Sequence, residues 1–149
     1  MSAVRGTKQG LSDFFFKNEF HCKINGTASA HTNEVFTENY NNGNEDPVDR
    51  SDTGSTNDLP APGDDYEYRI TAIHVCNAQA SASVLVSILN VSAGTPVWRV
   101  NAPVGVGIFN FPLPGLRVGE NKQLLLTTSA ALTANGRVDI FGVKVPVGS

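Results

Sequence analysis

Tyr66-Glu-Tyr-Arg-Ile-Thr-Ala-Ile-His-Val-Cys76 is the stretch whose reading decides the fold. Alternation puts Tyr66, Tyr68, Ile70 and Ala72 on one face, opposite Glu67, Arg69 and Thr71. A period of two among β-branched and aromatic residues marks a strand with one face in a core. The chain changes character here. Residues 66–145 read as short apolar strands punctuated by Gly, Pro and Asn, whereas residues 1–65 are polar, acidic and short of aliphatic side chains.

Working downstream, Ser83-Val-Leu-Val-Ser-Ile-Leu-Asn90 sets Val84, Val86 and Ile88 on one face, with Leu85 and Leu89 flanking Ser87 on the other. Both faces of that strand are expected to be covered. Pro96-Val-Trp-Arg-Val100 is a short strand and residues 104–111 a Gly-rich one, after which Pro112-Leu-Pro-Gly115 forces a turn. Leu124-Leu-Leu-Thr-Thr128 and residues 136–145 complete the set. In the last strand Val138 and Ile140 face one way, but the apolar register resumes at Val143 and Val145. One residue is therefore expected to be inserted, with Gly142 as the site of a bulge. Six or seven short strands at this spacing predict an all-β, antiparallel sandwich or jelly-roll-like body at 66–149.

Upstream, residues 1–65 form the other expected unit, an N-terminal arm with a long polar loop, strand-like at 14–24, where the apolar run is expected to return to the sandwich or to a neighbour and leave 41–65 as the polar gap. Phe14, Phe15 and Phe16 stand together, with Phe20 close behind. Three successive aromatics cannot share one face of a strand. Half of the cluster is expected to cover the core and half to meet a partner, beside the alternative of a core strand buried on both faces. Phe20, Cys22 and Ile24 alternate with His21 and Lys23, which reads as a strand closed by Asn25-Gly26. Residues 41–65 hold only Val48 and Leu59 as large aliphatics, too few to offset the entropy of ordering them. They read as a long loop or extended arm of the kind that is functional or ordered by a partner.

Charge follows the same division. The chain of 149 residues carries a net −3, too little to imply nucleic acid or an anionic membrane as partner. Residues 1–65 hold eleven acids against five bases, a net −6, and residues 66–149 hold three acids against six bases, a net +3. A solvated acidic loop is the plainer account, and head-to-tail packing of acidic extension on basic body the sharper one. Met1-Ser-Ala-Val-Arg5 lacks the apolar run that export needs, so a chain made and used without secretion is expected. Cys22 and Cys76 are then expected to be reduced, and the sequons at Asn25 and Asn90 carry no weight.

Several motifs invite chemistry. Asp52-Thr53-Gly54-Ser55 spells an aspartic-protease signature, but that chemistry needs paired carboxylates on rigid turns after apolar strands, and Val48-Asp-Arg-Ser51 supplies no such support. His21, Cys22, His74 and Cys76 lack the close knuckle spacing of zinc ligands, although His74 and Cys76 share a strand face. Asp46, Asp49, Asp52, Asp58, Asp64 and Asp65 offer oxygens for calcium in a spacing unlike an EF-hand loop. Trp98 is the single tryptophan, and its place between Val97 and Arg99 favours burial over a sugar platform. No catalytic, cofactor or metal residue is assigned, and a non-enzymatic chain is expected.

Three stretches carry a family likeness: Tyr68-Arg-Ile-Thr-Ala-Ile-His-Val-Cys-Asn77, Arg117-Val-Gly-Glu-Asn-Lys-Gln-Leu-Leu-Leu-Thr-Thr-Ser-Ala-Ala131, and the closing Gly136-Arg-Val-Asp-Ile-Phe-Gly-Val-Lys-Val145. Together, over about half the chain, they resemble small β-sandwich structural proteins of tailed bacteriophage virions. The resemblance implies a capsid decoration (cement) protein, a homotrimer that binds the major capsid protein and stabilises the head. It also implies a place on the virion surface after assembly in host cytoplasm. Phe14, Phe15, Phe16 and Phe20 are the expected partner-binding anchor, because large aromatics dominate interface energetics. The alternative is a tail or head-fibre module that binds carbohydrate.

Overall fold

The computed structural model describes residues 19–38 and 58–148. Those residues form ten strands in two antiparallel sheets and no helix, so the expected all-β sandwich is what the chain adopts. In chain order the strands are β1 (Glu19–Asn25), β2 (Glu34–Val35), β3 (Thr37–Glu38), β4 (Tyr66–Asn77), β5 (Val84–Leu89), β6 (Pro96–Ala102), β7 (Gly105–Asn110), β8 (Leu116–Glu120), β9 (Leu125–Thr128) and β10 (Arg137–Pro146). Sheet A runs β3-β1-β10-β4-β7, with β8 pairing the first half of β4, and sheet B runs β2-β9-β5-β6. Apart from the β5–β6 hairpin, most connections carry the chain from one sheet to the other, as in jelly-roll-like sandwiches.

The sandwich does not begin at Tyr66. β1 pairs with β10 over seven residues, and its inward side chains Phe20, Cys22 and Ile24 are buried as the alternation predicts. Leu59, one of two aliphatics in a segment read as loop, is 1% exposed in the same core. The Leu59 amide donates to the Phe36 carbonyl (2.8 Å), and Tyr68 Oη donates to the Pro60 carbonyl (2.6 Å). One leucine and a handful of backbone bonds suffice to lay 58–62 on the sandwich. Composition averaged over 41–65 hides that local anchor.

Between the sheets, Tyr68, Ile70, Ile73, Val75, Val138 and Ile140 of sheet A meet Val84, Val86, Ile88 and Leu126 of sheet B, all at most 1% exposed. The pairing of β4 with β10 shifts at Phe141/Gly142, beside the expected glycine, but the extra residue belongs to β4 and not to β10. Phe141 pairs with Ala72 and Gly142 with Ile70, so the extra residue is Thr71 of β4. The Thr71 hydroxyl donates to the Phe141 carbonyl (3.2 Å) at the bulge. Two consequences correct the sequence reading. Ala72 turns to the outer face with His74 and Cys76, while Ile73 and Val75 take the core positions. β10 stays in unbroken register with β1, so Val143 lies on the outer face with Phe141 and Gly142 points inward. A side chain there would meet the Arg69 carbonyl and the Phe20 ring (2.8 Å), which explains the glycine.

β8 was not anticipated. Only Leu116 and Val118 alternate in it, between a Pro-rich turn and Gly119, so its period is too short to read.

Candidate interaction surfaces

Sheet A leaves its outer face without a covering layer of described strands, and alternation decides what stands there. His21 of β1, Phe141 of β10 and His74 of β4 form one stack. The His21 ring lies parallel to Phe141 at 4.1 Å between centroids (17°), and His74 tilts against its other neighbour side at 4.9 Å (50°). Ile108 of β7 is the cross-strand partner of His74 and carries the stripe to the sheet edge. Four strands thus contribute to one aromatic and aliphatic row.

Asp139 fixes one end of this row. His21 Nε2 donates to Asp139 Oδ1 (2.7 Å), and Arg137, two residues away on the same face, grips both carboxylate oxygens at 2.7 Å. Burial pushes the Asp139 carboxyl up, but the hydrogen bonds from His21 and Arg137 and the guanidinium charge outweigh it and hold Asp139 below the ordinary aspartate range. A second ionic cluster lies on the outer face of the first half of β4. Glu67 is fully buried and accepts from Arg69 Nη2 (3.2 Å) and from Arg117 Nε and Nη2 (3.2 and 3.0 Å). Burial again pushes the carboxyl up, and the two guanidiniums more than reverse it. Neither cluster was legible beforehand. The Arg137–Asp139 spacing of two is visible in sequence, but Glu67 and Arg117 are fifty residues apart and meet only through β4–β8 pairing.

The second surface is the open side between β6 and β7. Trp98 of β6 faces inward and packs edge-on against Phe109 (5.0 Å) and Phe111 (6.2 Å), partly buried over the core. It closes the sandwich and offers no flat platform for a sugar. Beyond it, Val104, Val106, Ile108 and Leu113 are exposed, Val106 by 72% and Ile108 by 58%.

The expected site residues fall as follows. Phe20 serves the core, 4% exposed against Tyr68 (4.7 Å between rings), because its parity on β1 turns it inward; it is not surface available to a partner. Phe14, Phe15 and Phe16, like the Asp52-Thr53-Gly54-Ser55 motif and Asp46, Asp49 and Asp52, lie outside the described residues. The His21, Cys22, His74, Cys76 quartet is split by the sheet: Cys22 points into the core and the other three outward. Both cysteines are free thiols, with β10 between their strands, and burial pushes the Cys22 thiol well up, aided by the nearby Asp139 and Glu38 carboxylates. Among the described residues no three His, Cys, Asp or Glu side chains are grouped to hold a metal ion. An open cleft beside the β5–β6 turn is lined by Ala93, Gly94, Thr95, Pro96 and Arg99, which includes no nucleophile–base pair.

The chain matches no protein-family model, and no curated protein matches it in sequence.

Proposed function

We propose that this chain is a non-enzymatic virion structural protein, a decoration (cement) protein that binds the major capsid protein and stabilises the head. The observation that carries the reading is how the acidic segment is mounted. Residues 39–57 depart after Glu38 and return at Asp58, and Thr37 and Asp58 are bridge partners. Nineteen residues with four acids and one base therefore start and finish at one point on an edge of sheet A. A polar, acidic stretch of sequence whose flanking residues are held together on a packed scaffold is a common design of a binding loop. β7, with its exposed aliphatics, lies at the opposite edge of the same sheet. A rigid body with separated contact surfaces suits bridging neighbouring capsid subunits, and repetition over a shell multiplies weak contacts into firm attachment.

The bridge also supplies the test. Because Thr37 and Asp58 are cross-strand neighbours, replacing residues 39–56 by Asn-Gly sets Glu38 opposite Asn57 and closes a two-residue turn in the existing register. Heads stripped of the protein are expected to regain heat and chelator resistance on adding the full chain, and not on adding the shortened one. Failure of the full chain to bind heads, with binding to a glycan array instead, would replace this reading by the carbohydrate-binding one.

A further inference from the structure

Sheet edges invite pairing with other chains, and folded proteins protect them with short strands, charge or proline. β2 and β3 are two residues long and hold Glu34 and Glu38, and β3 is bridged by Asp58. β6 holds Pro96 and the exposed Arg99, and β8 holds Arg117 and Glu120. β7 has none of these guards. Gly105-Val-Gly-Ile-Phe-Asn110 contains no charge and no proline, and no charged residue occurs anywhere in residues 100–116. It pairs with β4 over all six residues without a register shift, and no described strand pairs with its other side.

Backbone polarity points the same way. The Phe111 amide donates to the Thr71 carbonyl (2.8 Å). Alternation along an antiparallel ladder then turns Phe109 and Gly107 toward β4 and the amides and carbonyls of Val106, Ile108 and Asn110 toward the open side. We propose that β7 pairs antiparallel with β7 of a second copy of this chain, about a two-fold axis at Gly107 that sets Val106 against the second copy's Ile108.

Charge and continuity select a second copy as the occupant. A strand that meets itself antiparallel brings like charges together, and β7 carries none to repel. The two-fold register stacks its two exposed aliphatic side chains on each other twice, in a cross-strand contact of the kind that stabilises sheets. The stripe His21–Phe141–His74–Ile108 then runs on into its counterpart across one continuous sheet. A single strand pair falls below about 1,200 Å² of interface, so the contact is weak in dilute solution and favoured at the millimolar effective concentrations of tethered neighbours. This inference gives the β7 edge, offered above as a second contact surface, to another copy of the chain and not to a capsid subunit, and its two-fold symmetry differs from the homotrimer that the resemblance implies.

The test is sedimentation equilibrium of the full chain up to ~1 mM, with amide hydrogen exchange at low and high concentration. A reversible monomer–dimer equilibrium is expected, with protection of the Val106 and Ile108 amides rising with concentration. Val106→Lys and Ile108→Glu, both at exposed positions, should each weaken the dimer about tenfold. The double variant should recover it, because the register sets each copy's new lysine against the other's new glutamate. A monomer at the highest concentration, a trimer, a dimer indifferent to Val106→Lys, or a dimer without the added amide protection would each overturn the proposal.

Discussion

Glu67 stands fully buried between the guanidiniums of Arg69 and Arg117, and Asp139 is held by His21 and Arg137, so each carboxylate is worth more to the folded chain ionised than protonated. Their folded pKa values lie below the ordinary ones. The unfolded chain therefore takes up protons first as pH falls, and the stabilisation, complete above about pH 4.3, is lost as pH drops through the folded values. Denaturant unfolding at pH 7 and pH 3 should show a clear loss at the lower pH, and a smaller loss in Asp139→Asn. Glu67→Gln removes the carboxylate that Arg69 and Arg117 share and should lower stability at pH 7 by the same measurement. Gly142→Ala, which drives a methyl into the Arg69 carbonyl and Phe20 ring, should cost about 1–3 kcal/mol. Inward residues such as Cys22, Ile24 and Val86 are legible from parity alone, and parity also turns Phe20 inward, against its expected place in the partner-binding anchor. The ionic clusters were not, since they depend on which strands become neighbours.

At the scale of elements, alternation located β1, β4, β5 and β10 to within a residue or two, because each carries enough apolar positions to show a period. It placed the irregularity at the right point of the β4–β10 pair, Phe141/Gly142, but assigned the extra residue to the wrong strand. An apolar pattern that slips between Ile140 and Val143 looks like an insertion there, yet an extra residue in the neighbouring strand, Thr71, produces the register shift. A single strand's sequence cannot say which partner of a pair bulges. The β5 register is directly testable. Val86 lies between β9 and β6 with no exposure, so Val86→Asp buries an unpaired charge and should leave no cooperative thermal transition in circular dichroism. A soluble, cooperatively folding variant would contradict the register. Between Glu38 and Asp58 the opposite outcome is expected: replacing residues 39–56 by Asn-Gly, in register with the Thr37–Asp58 bridge, should leave the melting temperature within a few degrees, about the effect of changing loop length.

For the whole molecule, the sequence contrast at Tyr66 is not a boundary between arm and body. β1, β2 and β3 supply strands to both sheets, and Leu59 plugs the core from the far side of the acidic segment. The Thr37–Asp58 bridge brings the residues that flank 39–57 together at the β3 edge of sheet A. That arrangement, with the unguarded β7 at the other edge, is the physical content of the proposal that the chain binds and bridges. The most direct test is the copy number of the chain in purified heads, by quantitative mass spectrometry against the major capsid protein. A fixed stoichiometric ratio is expected, falling as heads are stripped and lose heat resistance. Heads that contain none of the chain would contradict it.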